Sequence, residues 1–185
     1  MHHNNKIPMG IKELFQNRRF SVLRKRNKPI YASPDSLFRK VGFVLCLSSL
    51  EQLKMVDRLC RLFSDQGDLC SVCIYLKNNK LIIPNSWGSS YWLVLHAKQV
   101  NWYGMIRSGV ADRFVHQSYD VLINLSPEYC FTTSYIMALT RSRLKVGRYA
   151  HPKSPYQLIL GIDQELAGEE FVQLLYNSMK RMKLS

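Results

Sequence analysis

Cys70-Ser-Val-Cys73 has the spacing of a zinc-binding or redox pair. Zinc pairs sit on turns, and redox pairs sit where a helix begins and lowers one thiol pKa. Here the pair falls inside "DLCSVCIYLK", which reads as a strand. Two positions three apart in a strand face opposite sides, so one ion cannot be held by both. The expected role is structural, and no metal site is expected. Phosphate chemistry fares no better. GxGxxG and the Walker pattern are absent, and "CLSSLEQ", after the first strand, has no glycine, which argues against ordinary dinucleotide or nucleoside-triphosphate binding. A helix starting at Ser48 or Ser49 could meet one phosphate, with plain capping the expected role. His96, His116 and His151 are isolated. Asp120 precedes a strand, while Glu128 follows one, on the edge where parallel sheets bind ligands. No catalytic set stands out and no cofactor is expected.

Positive charge is the stronger feature. "NRRFSVLRKRNKP", residues 17–29, holds six basic residues and no acid: Arg18, Arg19, Arg24, Lys25, Arg26 and Lys28. The net charge of +13 divides into +8 over residues 1–40 and +5 over residues 41–185. A basic arm on a mildly basic body favours polyanions. "TRSRLKVGRY" adds Arg141, Arg143, Lys145 and Arg148. Arg143 and Lys145 share one face of a short strand, so either that face is open or the strand is an edge strand. Trp102 and Tyr103, beside Gly104 in a loop, either stack on unpaired bases or lid the core, the lid being favoured.

The elements that must position these residues are readable from periodicity. Residues 1–9 read as a disordered leader, with Met9 an alternative start. Residues 10–28 fit a basic amphipathic helix whose apolar positions are Ile11, Leu14, Phe15, Val22 and Leu23, and "KPIYASPDS" reads as a linker, so 10–40 form an appendage. The body, 41–185, opens with "KVGFVLCLSS", an unbroken apolar run suited to a strand buried on both faces. Ser48 or Ser49 caps the next helix, with Glu51 placed for a capping box. That helix presents Leu50, Leu53, Val56, Leu59, Cys60 and Phe63 on one face, and "DLCSVCIYLK" completes a βαβ unit. "KLIIP" and "YWLVLHA" suit short strands, and "QVNWYGMIRSG" a loop. "GVADRFVHQS" gives a helical turn or two, "YDVLINLS" a strand and "EYCFTTSYIMALTRS" a helix. "RLKVG" and "YQLILGI" are strands, and "DQELAGEEFVQLLYNSMKRMK" closes with a helix. Strands alternating with helices predict a single three-layer α/β domain, Rossmann-like, with a mostly parallel sheet. Five cysteines (46, 60, 70, 73, 130), four of them in apolar segments, suit reduced, buried thiols in a cytoplasmic protein. No apolar run is long enough for a transmembrane helix.

"YDVLINL…MALTRSRLKVG" resembles the strand–helix–strand segment of heptosyltransferase-type glycosyltransferases, where a YD-apolar-I-D-L strand precedes A…RIG. Asn124 stands where an acid often lies. Those enzymes use two Rossmann-like domains, and this chain has room for one. "VGFVLCL", "NWYG", "YDVLINLS", "LKVGRY" and "YQLIL" are together similar to a small uncharacterised Bacteroidota family, which implies a cytoplasmic setting and supplies no catalytic residue.

The leading expectation is a non-enzymatic RNA-binding protein, ribosome-associated, with ribosomal RNA and ribosomal proteins as partners. The basic arm and the 141–148 cluster would contact phosphates. One alternative is a degenerate glycosyltransferase-like or nucleotide-sugar-binding protein with a pocket near Ser48, Ser126 and Glu128. Another is a peripheral protein whose arm lies on an anionic membrane.

Overall fold

The computed structural model describes residues 10–26, 39–77, 83, 91–148, 150–151, 154–161 and 168–184. The expected leader, the linker with Lys28, and all of "KLIIP" except Ile83 lie outside these residues. Six strands form one all-parallel sheet: β1 (Lys40–Leu47), β2 (Leu69–Leu76), β3 (Tyr91–His96), β4 (Ser118–Asn124), β5 (Arg141–Gly147) and β6 (Leu158–Ile159), in the order β3-β2-β1-β4-β5-β6. Among the described residues, the mostly parallel sheet expected is parallel throughout. The order reverses direction at β1, so the next strand, β4, lies on the other side of it.

Strand burial explains the two helical layers. Val41, Phe43, Leu45 and Leu47 alternate onto one face of the sheet and join the cluster containing Phe63, Phe171, Leu175 and Met179. These last come from α2 (Leu50–Ser64) and α5 (Gly168–Leu184), which pack on each other. Phe43 and Phe63 meet at 5.8 Å, and Phe63 meets Tyr176 edge-on at 5.5 Å. Val44, Cys73 and Leu122 point the other way. They pack with Phe114 of α3 (Asp112–Val115) and with Ile136 and Met137 of α4 (Phe131–Leu139). Cys70 belongs to the first cluster and Cys73 to the second, as opposite-facing strand positions must. Both thiols are buried, and burial alone pushes the Cys73 thiol up, so the CxxC motif is core.

Two local expectations change. Ser49 caps α2 by accepting from the Gln52 N–H, while Gln52 Oε1 accepts from the Ser48 N–H at 2.9 Å. The reciprocal partner is therefore Gln52, one residue beyond Glu51. The N-terminal helix α1 (Ile11–Arg26) forms, but its apolar stripe is not its packing face. Leu14, Phe15 and Val22 are half or more exposed, whereas Gln16 and Phe20 are buried. Phe20 packs on Phe131 of α4 at 6.2 Å, and Gln16 Nε2 donates to the Tyr103 carbonyl at 2.7 Å. Spacing of four puts Gln16 and Phe20 on one stripe, the buried polar anchor and buried ring of the docked face. Among the described residues no helix is long and apolar enough to cross a membrane.

Candidate functional site

Strands β1 and β4 are neighbours, and the helices that follow them leave toward opposite faces. The crevice beyond their carboxyl ends is the topological switch point, where open parallel sheets bind ligands. A cavity of about 680 Å³ opens there. Its walls come from the end of β1 (Cys46, Leu47, Ser48), the end of β2 (Tyr75, Lys77) and the β4–α4 connection (Ser126 to Thr132). A fourth wall is the segment 97–104, and Lys12 and Gln16 of α1 close the side.

Backbone register fixes this geometry. Val44 pairs with Asn124, and the Leu125 N–H donates to the Val44 carbonyl. The chain then turns so that Ser126 Oγ accepts from the Cys46 N–H at 2.9 Å. Asn124, 1% exposed, ties the turn down. Its Oδ1 accepts from the Ser126 N–H at 3.0 Å, and its Nδ2 donates to Tyr156 Oη at 2.6 Å and Thr133 Oγ1 at 3.3 Å. Tyr156 is in turn seated on Gly147, where any Cβ would collide with its ring.

The wall at 97–104 is a tight turn. Asn101 Oδ1 accepts from the Met105 N–H and its carbonyl accepts from the Gly104 N–H, both at 2.9 Å. Gly104 has φ +94, and a Cβ there would press on Phe131. Its carbonyl accepts from Thr132 Oγ1 at 2.9 Å, fastening the turn to α4. Phe15 stacks on Tyr103 at 5.9 Å and meets Trp102 edge-on at 6.1 Å. Trp102 remains 62% exposed at the cavity rim.

Two thiols face each other in the wall. Cys46 is the penultimate residue of β1, and Cys130 is the N-cap of α4. The two side chains act on each other's ionisation, and Cys130 stands where α4 begins. The Cys46 side chain is the largest influence holding Cys130 below the usual thiol range, with the amides of Thr133 and Thr132 adding to it and burial opposing. The Cys130 side chain, then burial, pushes Cys46 up. Lys77 is near enough to favour a thiolate at Cys46, and Glu128 disfavours it. Burial, and secondarily charge at Cys130, pushes Tyr129 up to about 12. The Tyr129 ring stacks on His151 at 3.7 Å. Among the described residues no group of three His, Cys, Asp or Glu could hold a metal ion.

The residues expected to act separate sharply. Ser48, Ser126 and Glu128 all line the cavity. Asp120 is structural: Oδ2 accepts from the Arg39 and Lys40 N–H groups at 2.9 Å, and Oδ1 lies 3.5 Å from Arg143. Arg18 and Arg19 are exposed on α1, the side chains of residues 24–26 are not described, and Lys28 lies outside the described residues. The 141–148 cluster is not one open patch. Arg141 is exposed, but Arg143 is drawn onto Asp120, and Lys145 is only 5% exposed. Arg148 is buried with its guanidinium 4.4 Å over the Phe171 ring of α5. The reason is that β5 is an interior strand: β6 pairs with its end, and the Gln157 N–H and Oε1 bond the Lys145 carbonyl and N–H at 2.9 Å and 2.6 Å. Sequence reasoning missed Cys46 and Cys130 as a pair. The signal was the expected Rossmann-like sheet itself, since placing β4 beside β1 brings the end of one and the helix start after the other together.

Strand order and cavity together define a Rossmann-order α/β protein with an open pocket at its switch point. The chain belongs to the family of unknown function DUF6913, whose model matches residues 12–180. No curated protein and no solved structure matches it.

Proposed function

We infer that this protein binds a small organic anion in the switch-point cavity. The observation that carries this reading is the position of a cavity of about 680 Å³ beyond the carboxyl ends of β1 and β4. That volume suits a ligand of metabolite size. Lys12 and Lys77 supply positive charge at its sides. Helix α4 begins in its wall, adding the positive end of a helix dipole. Leu47, Tyr75 and Trp102 offer apolar surface for the rest of the molecule. A nucleotide sugar is one ligand of this description, although the absence of a glycine-rich loop means that any phosphate would rest on lysines rather than on a backbone cradle.

Thermal unfolding in the presence of nucleotide sugars, sugar phosphates and short carboxylates tests the reading. A bound ligand at about a hundred times its Kd should add about 2.7 kcal/mol. Lys77→Ala should weaken that ligand by roughly tenfold or more, the loss of one charge-assisted contact. If none of these anions shifts the transition, the reading fails.

A second reading is favoured by a specific juxtaposition. The exposed Trp102 packs through Phe15 against α1, which carries the exposed Arg18 and Arg19. Cations beside an exposed aromatic ring suit single-stranded RNA. With Lys145 and Arg148 buried, α1 and the residues up to Lys28 must carry such binding. If about six phosphates are neutralised, log K should fall against log salt with a slope of about −4. A flat salt response, or unchanged binding by Trp102→Ala with Arg18→Ala and Arg19→Ala, would remove it.

A further inference from the structure

Cys46 and Cys130 are 84 positions apart in sequence, yet strand order brings both into the wall of one open cavity. There Ser126 Oγ, on the Cys46 N–H, donates to Thr133 Oγ1, which in turn donates to the Cys130 carbonyl. The other three cysteines, Cys60, Cys70 and Cys73, are buried in the core. The two in the wall are both partly exposed. They are also unequal. Cys130 stands at the start of a nine-residue helix, whose first amides favour its thiolate, as for attacking thiols. Cys46 sits on a strand and is held protonated. Acyl transfer also needs an acid to protonate the leaving group, and the described lining of the cavity contains no histidine to serve as one. Disulfide exchange needs no such acid and no base beyond the thiolate itself.

We propose that Cys130 and Cys46 form a redox-active dithiol, Cys130 attacking and Cys46 resolving, whose substrate class is a small-molecule disulfide held in the cavity. This rests on the ligand-pocket reading and names the group the pocket acts on. In the first step the Cys130 thiolate attacks one sulfur of the disulfide. A Cys130–S–S–R bond forms, the R–S–S–R bond breaks, and one thiolate leaves. The leaving thiolate takes the proton from Cys46. The Cys46 thiolate then attacks Cys130 Sγ, the bond to R breaks, and the Cys46–Cys130 disulfide forms as a second thiolate departs. The protein dithiol loses two electrons and the small disulfide gains them.

Titratable groups surround the two thiols. Lys77 at the end of β2 favours a thiolate at Cys46, and Glu128 disfavours one. Burial, and after it charge at Cys130, pushes Tyr75, Tyr129 and Tyr156 up and so keeps them protonated.

The test uses the full chain and glutathione disulfide, with acid quenching, alkylation and peptide mass mapping. Wild type should first gain glutathione at Cys130 alone, then lose it to a species about 2 Da lighter than the reduced chain. Cys46→Ser should stop at the mixed disulfide. The rate at Cys130 should fall less than about threefold between pH 8 and pH 6.5, where an ordinary thiol falls roughly twentyfold. A fall of that ordinary size, or glutathione retained on wild-type Cys130 with no internal disulfide, overturns the proposal. Because wild type alone gives both readings, a variant that misfolds does not blunt the test. Anion binding by the wild-type chain separates the two inferences: if it binds an organic anion while its thiols prove inert, the pocket stands and the dithiol falls.

Discussion

Replacing Asn124 by alanine is expected to destabilise the protein by about 3 kcal/mol, a large share of the 5–15 kcal/mol available to a domain. The side chain is almost fully buried and uses both ends of its amide. Alanine leaves the Ser126 N–H without its acceptor and Tyr156 Oη without its donor, and each unpaired buried group costs about 1–3 kcal/mol. A small void adds to this. Urea unfolding at pH 7 measures the loss. The position of the defect makes a second, sharper forecast. Ser126 Oγ also covers the Cys46 N–H, and Thr133 contacts both Asn124 and the Cys130 carbonyl. Loosening this turn should therefore separate the two thiols and slow closure of an internal Cys46–Cys130 disulfide, while Cys130 stays open to external reagents. Asn124→Asp discriminates between packing and hydrogen bonding. It keeps the acceptor for Ser126 and gives Tyr156 a group to donate to, but it buries an ionisable carboxyl group. Burial will raise that carboxyl's pKa, so the Asp variant should approach wild-type stability as pH falls. An alanine variant as stable as wild type would mean that the turn is held by backbone register alone.

The way these residues come together explains which parts were legible in advance. Strand β1 and helix α2 write their burial into local periodicity: an unbroken apolar run, then apolar positions recurring at helical spacing to Gly67. Such patterns reflect one face of one element, so no knowledge of partners is required. Ser48, Ser126 and Glu128 were placeable for a related reason, since a parallel sheet collects its loops at the carboxyl ends of the strands. Where partners decide, reading along the chain misleads. Helix α1 docks through Gln16 because the Tyr103 carbonyl, 87 positions away, needs a donor. Nothing within "KELFQNRRF" marks that glutamine, and the more apolar Leu14 and Val22 face outward instead. The cysteines mislead in the opposite direction. Cys70 and Cys73 advertise a motif and are separated by the sheet, while Cys46 and Cys130 carry no motif and are joined by it.

Lysine 145 is the extreme case, because charge alone marks it as a surface residue, and its removal should stabilise the protein. It alternates with Val146, which packs in the α2–α5 cluster, so its side chain lies on the opposite face, where Tyr156 packs near α4. Burial lowers its pKa from 10.5 to about 8. The difference corresponds to about 3 kcal/mol that the charged folded state gives up at neutral pH. Lys145→Met keeps the length and apolar stem while discarding the ammonium group, so a gain approaching 3 kcal/mol is expected at pH 7. The sign of the pH dependence is fixed by where the protons sit. Below about 8 both folded and unfolded wild type hold the proton, and the cost is constant. Between about 8 and 10.5 the folded lysine has lost it while the unfolded lysine retains it, so wild-type stability rises with pH through that window. The variant has no such rise. Its advantage over wild type should therefore be full at pH 7, smaller at pH 9 and nearly gone above pH 10.5. Taking the difference between the two proteins cancels the thiol and tyrosine titrations they share. Urea unfolding of both at pH 7, 9 and 10 gives that difference. Curves that stay parallel across the range would place the ammonium in water and overturn the buried setting of Lys145.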